Sequence, residues 1–381
     1  MSQSLVIANA QVLLPEEAVD GWVAIADGRI AEVGRGAPPE RGIDFGGDLL
    51  APGLIELHTD HLESHLKPRP KVRWPTAAAV LAYDAQIVAS GITTVFDSLR
   101  VGNDADHNYS LTAEVWEIAA AIEAARGREL LRADHRTHLR CEICADDVIE
   151  GARELISGHQ VHLLSLMDHT PGARQFRDLA AWKTYYGGKS ELAPHELDRF
   201  MEKKRELFAA NYARHRSALV ALARSRSIVV ASHDDTTPEH VKESVGDGVA
   251  IAEFPTTAEA AKASHAEGIA VLMGAPNVVR GGSHSGNIAA EALAREGVLD
   301  ILSSDYVPAA LLIGAFELAR RIDGLGLPAA IRTVTLNPAR ATGLKDRGAI
   351  APGLRADLVR IRMAGDLPVV REVYRGGERV L

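Results

Sequence analysis

Cysteine, aromatic side chains, long apolar runs and surplus positive charge are all scarce in this sequence, and each scarcity removes a class of protein. Only two of the 381 residues are cysteine, Cys141 and Cys144, so a disulfide framework is excluded. A single C-x-x-C also lacks the second pair with which zinc is usually held by four ligands. The two thiols read as packed or bystander groups, with a redox or metal role as the alternative. No apolar run approaches the roughly 20 residues that span a bilayer. A formal net charge of -9 denies the chain the broad basic field that a nucleic-acid backbone requires. Neither a nucleic acid nor a membrane is therefore expected as a partner, and any anionic ligand must be met by a local cluster of Lys and Arg. The opening residues, Met1 to Ile7, lack a basic segment followed by a long apolar core and a cleavage site, which makes the cytoplasm the expected location.

What is present suits a large soluble enzyme. Hydrophobic residues make up 46% and charged residues 24% of the chain, close to globular averages. The length exceeds the roughly 250 residues of a typical (β/α)₈ barrel by enough for a small appended domain. Residues 1–50 read as short strands split by turns: Leu5 to Val12, Trp22 to Ala26, the pair Asp27-Gly28, then Ile30 to Val33. The last residues repeat the texture, with Ala356 to Ile361, Val369 to Tyr374 and Gly376-Gly377. D-G and G-G pairs between apolar runs are hairpin chemistry, and the two ends are expected to share one sheet. Between them short apolar strands alternate with amphipathic helices, the pattern of a parallel sheet with helical crossovers. The eight strands expected are Leu54 to Leu57, Ile92 to Phe96, Leu139 to Ile143, His162 to Leu166, Ile228 to Ala231, Val249 to Glu253, Ile269 to Leu272 and Ile301 to Ser303. Helices are expected over Ala77 to Ala89, Leu111 to Ala125, Pro194 to Ser225 and Ala289 to Arg295. The predicted fold class is α/β: a (β/α)₈ TIM-like barrel over 51–344, with a small β-domain formed by 1–50 and 345–381. The long charged helix near 196–224 is an odd crossover, suited to dimer contacts or to covering a site.

Side chains able to hold a metal collect at the carboxyl ends of these strands, where barrel active sites form. His58 and Asp60 are two residues apart, so strand alternation places them on one face. His138, Arg140 and Glu142 repeat that spacing on another strand. His169 follows the fourth expected strand, His233 the fifth, and Asp305 the eighth. Imidazoles and carboxylates together suit divalent cations such as zinc, first, or manganese or iron, and a bridging carboxylate can hold two ions a few Å apart. Taken singly, each His also reads as a satisfied structural residue.

The segments Pro52-Gly53-Leu54-Ile55-Glu56-Leu57-His58-Thr59-Asp60 and Gly348 to Val359 resemble the two bookends of the amidohydrolase superfamily. That resemblance implies metal ligation by His58 and Asp60, a bridging group at Glu142, ligands at His169 and His233, and a catalytic Asp305. The chain departs from it in having H-x-D for H-x-H, and in placing its two His after strands four and five, where five and six are implied. Further stretches resemble the diphosphatase family of the carbon-phosphorus lyase pathway: His58-Thr59-Asp60-His61-Leu62-Glu63, Pro68-Arg69-Pro70, Arg140-Cys141-Glu142, Ser165 to Gly172, Ser232-His233-Asp234-Asp235, and Gly274 through Asn287. This implies hydrolysis of α-D-ribose 1-methylphosphonate 5-triphosphate to the 5-phosphate with release of diphosphate, in phosphonate catabolism.

Basic residues agree with an anionic substrate. Lys67, Arg69, Lys71 and Arg73 alternate just past the first metal motif and can grip a polyphosphate, or can equally be a solvated loop. In Arg280-Gly281-Gly282-Ser283-His284 adjacent glycines allow close approach of backbone N–H groups to phosphate oxygens. Arg174 is a weaker candidate. Two other readings remain: another metal hydrolase acting on a cyclic amide or deaminating a heterocycle, and a non-catalytic scaffold barrel. A homodimer is compatible with any of them.

Overall fold

A computed structural model describes residues 4–39, 41–103, 111–174, 179, 182–183, 194–283 and 286–381. Both ends of the chain enter one sheet. Ser4–Leu13 pairs antiparallel with Ala18–Ala26, which pairs with Arg29–Arg35. The connecting residues Asp27 and Gly28 have φ of 49° and 76°, the left-handed pair that a two-residue hairpin needs. Leu49–Pro52 is the hinge of the sheet, parallel to Ser4–Leu13 and antiparallel to Leu358–Ala364. Leu367–Arg375 and Glu378–Arg379 continue it outward. This sheet has its own core, built from Ile7, Val12, Val23, Ile25, Phe45, Leu50 and Tyr374 among others.

The middle of the chain forms eight parallel strands in sequential order: Leu54–Thr59, Ile92–Val101, Asp134–Glu142, Val161–Met167, Val229–His233, Ile251–Glu253, Ala270–Gly274 and Ile301–Ser303. A parallel bridge between Thr59 and Asp305 brings the last strand back to the first, so the sheet is a nearly closed barrel. Each expected strand segment overlaps one of these. The second and third run several residues beyond their apolar stretches. Polar groups such as Asp97 and His135 break the hydrophobic run that marks a strand, yet they are buried against each other at 2.9 Å.

Inside and outside are set by alternation. In the third strand Leu139 and Cys141, with Ile143 just past its end, face the helical layer with the main core, leaving His138, Arg140 and Glu142 to point inward. Ile55, Leu57, Phe96, Leu163, Ala231, Ile251, Leu272 and Ile301 plug the barrel interior. The polar residues therefore sit above an apolar floor, at the carboxyl ends of the strands. Helices supply the outer layer, including Thr76–Ala89, Leu111–Gly127, Val148–Gly158, Pro194–Ser225, Pro238–Asp247, Ala258–Ala266 and Ala310–Arg321. Two begin with threonine caps: Thr237 accepts from the His240 N–H and Thr257 from that of Ala260, each worth about 1 kcal/mol.

Candidate active site

The pocket above the apolar floor has a volume of about 260 Å³ and is lined by His58, Arg140, His169, His233, Asp234, Arg280, Ser283 and Asp305, with Phe254, Asn277 and Tyr306. Backbone geometry aims several of these groups. Asp234 and Phe254 directly follow strands five and six and Asp305 lies two residues past strand eight, and their φ values of 56°, 54° and 54° are left-handed. Such conformations cost about 1–2 kcal/mol for an L-residue and cluster where a site over-determines them. In the first strand a register shift lies between Glu56 and Thr59. That irregularity lets His58 face inward although Ile55 and Leu57 already do.

Two groups of ligating atoms result. His58, His138 and Glu253 lie with one ligand atom each within 4.8 Å of one another, and so do His169, His233 and Asp234. Glu253 stands between the groups: one carboxylate oxygen is 3.0 Å from His58 Nδ1 and 3.5 Å from His138 Nε2. Its other oxygen is 3.0 Å from His233 Nδ1 and accepts the Ser165 hydroxyl at 2.8 Å. His58 Nδ1 and the facing Glu253 oxygen are both buried and make no hydrogen bond. Two ligands bound to one ion at about 2.1 Å sit roughly 3.0–3.4 Å apart, so this orphaned pair has the spacing and chemistry of a divalent-cation site. The protonation states also fit. Burial pushes His58 down to about 4 and His138 down to about 3, keeping both imidazoles neutral. Burial opposes ionisation of Glu253, but the surrounding imidazoles, with His233 Nδ1 hydrogen-bonded to it at 3.0 Å and itself shifted upward, hold its carboxyl well below the usual range.

Glu142 meets His169. One carboxylate oxygen is 2.6 Å from His169 Nδ1 and the other accepts the His169 backbone N–H at 3.2 Å, while Arg100 approaches at 3.2 Å. This arrangement fixes the ring orientation, with Nδ1 turned to the carboxylate. Asp305 lines the pocket on the far side of the bridge from Thr59. Burial, reinforced by the charge on Asp60, raises its pKa to about 7. Asp60 itself is 37% exposed at the side chain and lies 3.8 Å from the Arg140 guanidinium.

The basic residues divide sharply. Arg280 and Ser283 line the pocket, whereas His284 lies outside the described residues. Lys67, Arg69 and Arg73 are not brought there: they line a separate surface depression. Lys67 reaches Glu114 at 3.0 Å, and Arg73 reaches Glu114 at 2.8 Å and Glu117 at 2.7 Å. Charge that the expectation assigned to a polyphosphate is spent on the helix Leu111–Gly127. Arg174 is buried to 2% exposure and absent from the pocket lining. It donates to Asp235, to the His233 carbonyl at 3.2 Å and to the Tyr212 hydroxyl at 3.0 Å, so it braces the loop that carries His233.

Sequence reasoning singled out His138 by its spacing but gave it no ligand role, and it missed Glu253 and Asp234, all three members of the ligand groups. Glu253 left one signal, a carboxylate ending an otherwise apolar strand, on the sixth strand, where the superfamily resemblance implied a His.

Comparison with known proteins follows the same line. Residues 85–381 match the Amidohydrolase family. The chain is 45% identical over 379 residues to the α-D-ribose 1-methylphosphonate 5-triphosphate diphosphatase of Escherichia coli K12, covering 99% of this chain and 100% of the relative. Among solved structures, a 5-methylcytosine deaminase from Klebsiella pneumoniae superimposes with a TM-score of 0.67 at 16% identity, covering 99% of this chain and 98% of the other. The N-isopropylammelide isopropylaminohydrolase of Burkholderia multivorans gives a TM-score of 0.66 at 19% identity, over 99% and 98% of the two chains. No helix among the described residues is long and apolar enough to cross a membrane.

Proposed function

The chain belongs to the amidohydrolase family, and from that premise we propose that it is a divalent-metal-dependent hydrolase. Its substrate in this reading is α-D-ribose 1-methylphosphonate 5-triphosphate, which it converts to the 5-phosphate and diphosphate. The observation that carries the reading is one pocket in which imidazole and carboxylate ligands face two guanidinium groups, Arg140 and Arg280. The whole-length similarity to the Escherichia coli diphosphatase supports the substrate. Amide hydrolysis or deamination of a neutral heterocycle gives those guanidiniums nothing to neutralise, whereas a triphosphate does.

His58, His138 and Glu253 would hold one cation and His169, His233 and Asp234 a second, zinc being the metal best matched to these nitrogens and oxygens. Cations bound there supply hydroxide near neutral pH and polarise phosphoryl oxygens. Everything else falls to the protein. Glu142 orients His169, and Arg174 braces the His233 loop. Asp305, ionised once a cation lowers its raised pKa, takes the proton of the attacking water. Arg280 and the turn at Ser283 hold the outer phosphates. Of the expected ligand set, Asp60 stands off toward Arg140. With both cysteines buried and unpaired, a reducing cytoplasmic location fits this chemistry.

Stripping the protein with a chelator and restoring one metal at a time, with diphosphate release as the readout, tests the proposal. Activity should vanish and return with zinc or manganese. Full activity in protein shown by elemental analysis to be metal-free would refute it.

A further inference from the structure

Arg140 is the one arginine on the barrel strands whose guanidinium opens into the pocket. It points inward from the third strand between His138 and Glu142, its side chain 16% exposed. Its Nε donates to the Met167 sulfur at 3.3 Å, and Nη1 stands 3.8 Å from Asp60, beyond hydrogen-bond reach. Both terminal nitrogens are therefore left with N–H groups to offer a ligand. That is unusual for a guanidinium this enclosed; Arg174, behind the His233 loop, directs its donors to Asp235, Tyr212 and the His233 carbonyl. Position adds to the argument. Arg140 comes from the third strand and Arg280 from the end of the short helix Ala275–Arg280 that follows the seventh, and both line the same pocket. A polyphosphate laid over the metal ligands therefore meets two guanidinium groups from separate elements.

We infer that Arg140 is a catalytic residue that binds the phosphoryl group under attack, and that Asp60 is its positioning counter-ion rather than a metal ligand. The inference rests on the triphosphate reading above. In the step, a water oxygen forms a bond to phosphorus, its proton passes to Asp305, and the bridging P–O bond breaks with its electron pair going to the departing diphosphate. Charge grows on the phosphoryl oxygens and on the leaving oxygen, and a planar two-pronged cation facing them stabilises that state. The H-x-D at positions 58 and 60 then has a physical reason: a carboxylate holds a guanidinium in place, and a neutral imidazole there would not.

The test uses the metal-loaded enzyme with Arg140→Gln, Arg140→Lys, Asp60→Asn and Arg280→Gln. Metal per chain, kcat and KM on the ribosyl triphosphate, and calorimetric binding of inorganic pyrophosphate are measured. Arg140→Gln should keep its metal and lose about 10²–10³-fold in kcat, with a smaller change in KM. Arg140→Lys should stay well below wild type, because a point charge lacks the fork. Asp60→Asn should lower kcat while retaining the metal, and Arg280→Gln should act chiefly on KM. An Arg140→Gln enzyme with near-normal kcat, or one that loses metal in step with activity, overturns the assignment, and metal loss in Asp60→Asn overturns the counter-ion role. Should the wild-type enzyme release no diphosphate from triphosphates, the substrate reading falls by itself. Pyrophosphate binding then decides for Arg140, and equal affinity in wild type and Arg140→Gln removes it as a phosphate ligand.

Discussion

Replacing Glu253 with Gln separates a metal ligand from a structural ion pair. The carboxylate is fully buried and is shared by His58, His138 and His233, with Ser165 donating to it. Gln has nearly the same volume and can still accept the Ser165 hydroxyl. What it loses is one negative charge and one ligand oxygen. Partners that merely orient a ligand cost 10–100-fold in metal affinity when removed. Loss of a ligand itself should cost at least about 100-fold, or about 2.7 kcal/mol. The metal-free protein should respond differently. The Glu253 carboxyl is held well below its usual range in the fold, so its charge contributes to the stability of the apo protein and the apo melting temperature should fall modestly. Competition with a chromophoric chelator gives the affinity, and differential scanning fluorimetry with and without metal gives the stability. Unchanged metal affinity together with a large drop in apo melting temperature would refute the ligand assignment and leave Glu253 as a structural partner of His233.

Three further substitutions follow from the same geometry. Asp305→Asn keeps shape but removes the proton acceptor, so kcat should fall by about 10²–10⁴ with circular dichroism unchanged; a near-normal rate would remove Asp305 from the mechanism. His135, held between Asp97 at 2.9 Å and Asp84 at 3.2 Å, is buried, which alone would lower its pKa, but Asp97 and Asp84 overcome this and raise it to about 9. Its contribution is complete below the unfolded pKa near 6.5 and is lost as pH rises through about 9, an upper limit of about 3 kcal/mol. Urea midpoints should decline across pH 6.5–9 in the wild type and much less in His135→Gln, and parallel declines would contradict the assignment. Arg174→Met leaves Asp235 buried without its cation and should cost about 3–5 kcal/mol. It should leave the KM of the folded fraction nearly unchanged, whereas a large rise in KM would restore Arg174 to substrate binding.

How much was legible from residues alone depends on what each residue had to signal. The eight strands could be read because short β-rich apolar runs stand between turn residues and helical stretches, and the Asp27-Gly28 and Gly376-Gly377 pairs announced the terminal hairpins. The ends of strands two and three could not, because Asp97, His135 and His138 interrupt their hydrophobic pattern and are stabilised by partners distant in sequence. Pocket residues at or just past a strand end, such as His233 and Asp305, were conspicuous. Glu253 was not, and His138 showed only its spacing, since their significance lies in meeting one another and His58. The alternating basic run from Lys67 to Arg73 looked like a phosphate grip until the helix Leu111–Gly127 supplied Glu114 and Glu117. Local charge says nothing about which distant carboxylate will claim it. Arg140 is the converse case, an arginine within a buried strand that finds no strong protein partner and so remains available to a ligand.

Phosphorus NMR of products formed by the metal-loaded enzyme addresses the central claim most directly. Incubated with α-D-ribose 1-methylphosphonate 5-triphosphate, the protein should yield the 5-phosphate monoester and diphosphate in equal amounts, and the chelated protein should yield neither. Stepwise release of orthophosphate, or no turnover of the triphosphate beside rapid opening of a cyclic amide, would contradict the account.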